Sequence, residues 1–205
     1  MQQTIGILNY DVGNIFSLKK IISQYNISIL IVNCEEDFKK CDKIILPGQG
    51  SYDYALASMK KRSLLYSLKD FIKSGNPVLG ICLGMHLLMT GSEEGNEQGM
   101  DIFSGKVIKI NNKSKDIKVP NINWLTVDNC NNFSNKFFKK IDKKSFYFAH
   151  SYYCPSNTKY NFLTSRYKDL NIMSFLVENN ILCTQFHPEL SGSNGNLFFD
   201  EFFNI

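Results

Sequence analysis

Three residues of this 205-residue chain have the types and setting for acyl-transfer chemistry. Cys82 lies in Pro77-Val78-Leu79-Gly80-Ile81-Cys82-Leu83-Gly84-Met85-His86. Val78, Leu79 and Ile81 form a short apolar run that reads as a buried strand turning onto a helix. Gly80 and Gly84 flank the cysteine at two residues on either side. That spacing is the thiol version of a nucleophile elbow, where small neighbours let a strained turn expose the reactive atom. The start of a helix also favours thiolate over thiol. Far downstream stands Gln185-Phe186-His187-Pro188-Glu189. His187 can take the thiol proton and return it to a leaving amine. Glu189, two residues on, projects from the same face of an extended segment and can fix the imidazole tautomer. A thiolate at Cys82 would attack a carbonyl carbon and split one hard acyl transfer into two easier steps. The tetrahedral intermediate needs donors. The Leu83 backbone N–H is one candidate, and the Gly48-Gln49-Gly50 turn could supply another. Its glycines allow close approach to a substrate.

No one of these residues is specific. Cysteine is among the most buried residue types, so a lone Cys82 would more often be core than catalyst. A single histidine before a proline can simply mark a turn, and glycine turns are common. The combination carries the inference.

The elements around these residues change character along the chain. In the first half, Thr4–Leu8, Ile27–Val32, Lys43–Leu46 and Val78–Ile81 read as strands. Asn14–Gln24, a stretch from about Tyr52 with Ser51 as N-cap, and Leu64–Lys73 read as helices. Such alternation predicts a mostly parallel central sheet covered by helices on both faces. In the second half, Gly105–Ile110, Trp124–Val127, Ser145–Ala149, Phe162–Ser165 and Ile181–Gln185 are strand-like, and Asn194–Phe203 closes the chain as a helix. Neither a repeat nor a low-complexity linker interrupts it, so residues 1–205 are expected to form a single domain. Sites in open α/β sheets lie beyond the carboxyl ends of strands. Cys82, His187 and Gly48–Gly50 all follow strands, so they can converge.

Composition is that of an ordinary globular chain, 43% hydrophobic and 20% charged, with a net charge of +4. Lys113, Lys115 and Lys118 read as a solvated loop, because no aromatic platform accompanies them for nucleic-acid binding. The six cysteines, Cys34, Cys41, Cys82, Cys130, Cys154 and Cys183, show neither C-x-x-C pairs nor zinc-finger spacing. No metal and no organic cofactor is expected. There is no basic n-region before the first apolar run, and no apolar stretch approaches the ~20 residues that span a bilayer. A cytoplasmic protein with reduced thiols, without membrane or nucleic-acid partners, is the expectation.

With those residues in place, the chain resembles the class I glutamine amidotransferases. Among them it most resembles the glutaminase subunits of imidazole glycerol phosphate synthases. The likeness runs through Tyr10-Asp11-Val12-Gly13-Asn14, Leu46-Pro47-Gly48-Gln49-Gly50, Gly80–Met85 and Ser92-Glu93-Glu94. It continues through Ile102–Val107, Val119-Pro120, Trp124, Phe148-Ala149-His150-Ser151-Tyr152 and Gln185–Glu189. The resemblance implies a flavodoxin-like α/β domain and a Cys82–His187–Glu189 triad that hydrolyses L-glutamine through a γ-glutamyl thioester. It implies an oxyanion hole from Gly48, Gln49 and Leu83, completed on activation. It places Gly50, His86, Ser151 and Tyr152 at the substrate, with Tyr147 close by. It also implies a heterodimer with a (β/α)8 barrel cyclase, which uses the ammonia to make imidazole glycerol phosphate and an aminoimidazole carboxamide ribotide in histidine biosynthesis.

Several positions depart from the family's pattern. His86 stands where a substrate-contacting glutamine is usual, and Gln49 replaces a small apolar residue. Asn9 and Asp11 replace Asp and Gly, Asn121 and Asn123 replace His and Gly, and Leu190 replaces Lys. These departures motivate two other readings: a paralogue feeding ammonia to amidination of a surface-polysaccharide sugar, and a non-catalytic regulatory module. A cysteine peptidase or isomerase on a related fold would share the elbow but leaves the Pro47–Gly50 turn, the His187-Pro188-Glu189 segment and Trp124 unexplained.

Overall fold

The structure is a computed structural model that describes residues 2–111, 117–130, 133–156 and 159–205. Of the lysines read as a solvated loop, Lys113 and Lys115 lie outside the described residues, and Lys118 is exposed. The first half contains β1 (Thr4–Leu8), α1 (Ile15–Ile22), β2 (Ser28–Val32), α2 (Glu35–Phe38), β3 (Lys43–Leu46), α3 (Tyr52–Lys61), α4 (Leu64–Lys73), β4 (Val78–Ile81), α5 (Leu83–Leu88) and β5 (Met89–Ser92). The second contains β6 (Phe103–Lys109), β7 (Asn121–Thr126), α6 (Lys136–Ile141), β8 (Ser145–His150), β9 (Tyr152–Tyr153), β10 (Phe162–Tyr167), β11 (Leu170–Glu178), β12 (Ile181–Thr184) and α7 (Gly192–Phe203).

The main sheet has the order β10-β11-β12-β4-β3-β1-β2. From β12 to β2 every pairing is parallel, and β10 and β11 add an antiparallel edge. The parallel part follows the flavodoxin-type order. Its inner strands are buried on both faces, while edge strand β2 is half-buried. In β3, Ile44 and Leu46 join the core beneath α3 and α4, while Ile45 points to the core beneath α1, α6 and α7. That alternation follows from the two-residue period of a strand. The second face is dense in aromatics: Phe146 stacks on Phe186 at 4.1 Å, and Phe198 meets Phe186 edge-on at 5.6 Å.

The helices begin where the local chemistry allows. Asn14 caps α1, its side chain accepting from the Ser17 N–H, and Asn135 caps α6 by accepting from Phe137 and Phe138. Ser51 occupies the N-cap of α3 but makes no capping bond with its side chain. At the far end of the sheet, Lys43 is 2% exposed. Its ammonium donates to the carbonyls of Phe202 and Phe203 at 2.9 and 2.7 Å, closing the C-terminus of α7. Two smaller sheets, β5-β6-β9 and β7-β8, lie outside the main one. Among the described residues, no helix is long and apolar enough to cross a membrane.

Candidate functional site

Cys82 stands between β4 and α5 with φ 45° and ψ −99°, a strained backbone for a residue with a side chain. Packing holds it there. The Cys82 N–H donates to the Thr184 carbonyl at 2.6 Å, and its carbonyl accepts from the His86 N–H at 3.1 Å. Glycine is required at 84, because a Cβ would lie 2.4 Å from the Leu46 carbonyl oxygen. The elbow therefore presses against β3, one strand over. Gly48 is equally constrained: a Cβ there would sit 2.8 Å from the Ile81 carbonyl oxygen and 3.0 Å from His187 Cε1. Nucleophile elbow, glycine turn and histidine are thus in contact.

His187 follows β12 on the same edge of the sheet. Its N–H donates to the Tyr147 carbonyl at 2.8 Å, and its own carbonyl accepts from Ser191 Oγ at 2.6 Å. Its Nδ1 lies 2.8 Å from Glu189 Oε1, with side-chain exposures of 0% and 2%. Nδ1 donates to that carboxylate, which leaves Nε2 to face the Cys82 sulfur. Nε2 has no partner of ordinary hydrogen-bond geometry; its electrostatic partner is the Cys82 sulfur. Burial opposes charge on His187, but the Cys82 sulfur and the Glu189 carboxylate outweigh it and raise the imidazole well above its usual range.

A cavity of about 240 Å³ opens over the sulfur. Gly48, Gln49, Gly50, Cys82, Leu83, His86, Ser151 and Tyr152, all expected at the site, line it. His187 and Glu189 lie behind the cysteine. Four further residues line the cavity: Glu94, Pro120, Ala149 and His150. Glu94 is the one carboxylate among the lining residues, and burial raises its pKa. Its Oε1 accepts from the Tyr52 N–H at 3.3 Å. Both Glu94 and His150 sit inside segments quoted above for the family resemblance, Ser92-Glu93-Glu94 and Phe148–Tyr152, so the signal existed without a role attached.

The donors expected for an oxyanion are arranged in a closed state. The Leu83 N–H donates to the Gly48 carbonyl at 3.3 Å. The Gly48–Gln49 peptide therefore turns its oxygen, not its N–H, toward the space an oxyanion would occupy. Buried Tyr10 donates its hydroxyl to the Pro47 carbonyl and pins the residue before that peptide.

Two departures from the family pattern turn out to be linked. Asn123 Nδ2 donates to Asn121 Oδ1 at 2.7 Å, and Asn121 Nδ2 lies 2.9 Å from His150 Nε2. His150 Nδ1 lies 3.0 Å from the Tyr152 carbonyl, which can only accept. His150 is thus protonated on Nδ1 and accepts on Nε2. Burial, aided by nearby His86, lowers its pKa to about 3, so it stays neutral. The chain of bonds runs from β7, where Ile122 and Trp124 are exposed, to the cavity wall. Trp124 also packs edge-on against Tyr147, at 5.9 Å between centroids. Among the described residues, no three His, Cys, Asp or Glu side chains gather as a metal site.

A strained cysteine at a strand–helix elbow, backed by a buried histidine–carboxylate pair on a flavodoxin-type sheet, defines a class. The chain belongs to the class I glutamine amidotransferase family, whose pattern it matches over residues 7–205. Within that family it is similar to imidazole glycerol phosphate synthase subunits. It is 37% identical to the hisH subunit of Cyanidium caldarium, over 94% of each chain. It is 36% identical to the HisH 2 subunit of Methanococcus maripaludis, over 97% of this chain and 98% of that one. Two solved structures share the fold: PurLQS from Thermotoga maritima (TM-score 0.75, 19% identity, 100% and 99% covered) and a glutamine amidotransferase from the same organism (TM-score 0.64, 17% identity, 100% and 84% covered).

Proposed function

We propose that this protein is the glutaminase subunit of an imidazole glycerol phosphate synthase, with residues 1–205 acting as one domain. It hydrolyses L-glutamine and passes the ammonia to a (β/α)8 cyclase partner in histidine biosynthesis. The observation that carries the reading is the buried Cys82–His187–Glu189 set, with an unpartnered His187 Nε2 behind a strained cysteine. The names of the relatives favour this ammonia acceptor over amidination of a surface sugar. Retention of all three triad residues argues against a non-catalytic module.

In this mechanism the Cys82 thiolate attacks the γ-carbonyl carbon of glutamine. The carbonyl oxygen becomes an oxyanion, and imidazolium His187 gives its Nε2 proton to the leaving nitrogen. Ammonia departs and a γ-glutamyl thioester remains. Water then attacks, with His187 Nε2 as base, and glutamate leaves. Glu94 is placed to meet the α-ammonium of glutamine as the carboxylate in the cavity wall. Ser151 and Tyr152 face the same space.

The Leu83–Gly48 hydrogen bond makes the resting chain a poor glutaminase. Rotation of the Gly48–Gln49 peptide would free the Leu83 N–H and bring the Gln49 N–H inward, supplying two oxyanion donors together. Partner docking at the exposed Ile122–Trp124 face is the event that drives it. The test is glutamate release by the chain with its co-expressed barrel partner, with and without the nucleotide acceptor. Strong stimulation by the histidine-pathway nucleotide, lost in Cys82→Ala, is the expected result. Cys82-dependent turnover that ignores this nucleotide would point to another acceptor.

A further inference from the structure

We propose that Gln185 is a hydrogen-bond donor to the Cys82 sulfur, and that His86 is the positioning residue that aims it. The proposal rests on the glutaminase reading above and assigns roles that the triad does not include. Gln185 Nε2 lies 3.5 Å from Cys82 Sγ, and Gln185 Oε1 lies 3.0 Å from His86 Nε2. The three residues are 0%, 6% and 3% exposed, so the Gln185–His86 contact is held out of bulk solvent while the sulfur faces the cavity. The donor–acceptor chemistry gives the relay one direction. An amide oxygen only accepts, so His86 Nε2 carries the proton; an amide nitrogen only donates, so the sulfur accepts. The opposite amide orientation would turn a carbonyl oxygen toward an electron-rich sulfur. That repulsion sets the amide orientation, and the His86 Nε2–H then holds it.

A buried thiolate without donors is costly. His187 can serve it only part of the time. During deacylation His187 takes a proton from the attacking water, whose oxygen bonds to the γ-carbonyl carbon. The carbon–sulfur bond breaks and its electron pair returns to sulfur. At that moment His187 is facing the water, and Gln185 Nε2 is the donor still directed at sulfur. This also accounts for His86. The sequence pattern places that position at the substrate, and the side chain does line the cavity, but its Nε2 is spent on Gln185.

The test is peptide-resolved alkylation of Cys82 by iodoacetamide across a pH series, on the complete chain. It needs no glutamine, so it is independent of whether the turnover test above succeeds. Gln185→Met keeps the length and removes the donor. It is expected to slow Cys82 alkylation about tenfold at neutral pH and move the pH–rate profile upward. His86→Leu should move it in the same direction, and His86→Gln, which keeps an N–H at similar reach, should retain the wild-type profile. His86→Leu should add nothing in the Gln185→Met background. A wild-type profile in Gln185→Met overturns the donor role. A His86→Leu effect that persists in full without Gln185 overturns the positioning role. Should the leucine variant lose its native circular dichroism, His86→Asn, too short to reach, replaces it against His86→Gln: equal profiles for the two overturn the role.

Discussion

The two ends of the main sheet treat buried polar groups in opposite ways. At the amino end of β3, Lys43 is enclosed and its ammonium is shared between two helix-terminal carbonyls. At the carboxyl ends of β4 and β12, His187 Nε2 and Glu189 Oε2 are buried with no ordinary hydrogen-bond partner, beside a cysteine at φ 45°. A satisfied buried charge closes a fold. An unsatisfied one next to backbone strain is capacity held for a reacting molecule. The same sheet supplies both, and the contrast falls at the end where the triad is proposed.

The largest effect that could break this comparison is on turnover. Cys82→Ala should reduce glutamate release by the assembled complex at least ~10³-fold while the thermal midpoint changes little; measurable residual turnover at wild-type rate would end the assignment. Acid comes next. Burial holds His86 and His150 neutral, lowering their pKa values to about 4 and about 3. The unfolded chain therefore binds more protons below an ordinary value of roughly 6.5, and stability falls as pH drops through that point. Urea titrations should show a loss of about 2 kcal/mol per histidine between pH 6.5 and 5. His187, raised instead, gives its full contribution throughout this window and loses it only as pH rises through its folded value, so it offers no offset. A flat stability profile there would mean that these two histidines are charged when folded.

Gly84→Ala forces a Cβ into the Leu46 carbonyl and should cost about 3 kcal/mol in urea denaturation, with loss of activity because the elbow must move. Lys43→Met sharpens the contrast from the other end. It strands the Phe202 and Phe203 carbonyls and should cost about 2 kcal/mol, yet leave the turnover of the folded complex unchanged. Equal activity losses in the two variants would erase the distinction between the ends.

Much of the parallel sheet is legible because its strands are short, apolar and bounded by turn residues. Strands Thr4–Leu8, Lys43–Leu46 and Val78–Ile81, and helix Leu64–Lys73, have the expected bounds in the structure. The later strands shift by a few residues, as where Gly105–Ile110 becomes Phe103–Lys109. β11 is absent from the sequence reading although it is the longest strand described. Buried Ser174 breaks its apolar run, and that hydroxyl makes sense only once it is seen donating to the Leu163 carbonyl on β10. α6 carries three lysines among six residues, which hides the phenylalanines it buries. At the site, residue types and order identify Cys82, His187 and Glu189 as candidates. The state of the Leu83 N–H, the Gln185–His86 relay and the entry of Glu94 into the cavity wall depend on distances between segments that local patterning does not encode.

The hydrogen bond from Cys82 N–H to the Thr184 carbonyl has a consequence in time. β4 lies beside β12, yet more than a hundred residues of synthesis separate them. At roughly 5 to 20 residues per second, Cys82 leaves the ribosome some seconds before the strand that braces it and the histidine proposed as its base. A half-made chain therefore carries the thiol without the elbow's brace or its base. With the triad proposed above, glutamine chemistry begins only after β12 slots in beside β4, so the order of synthesis itself keeps unfinished copies silent.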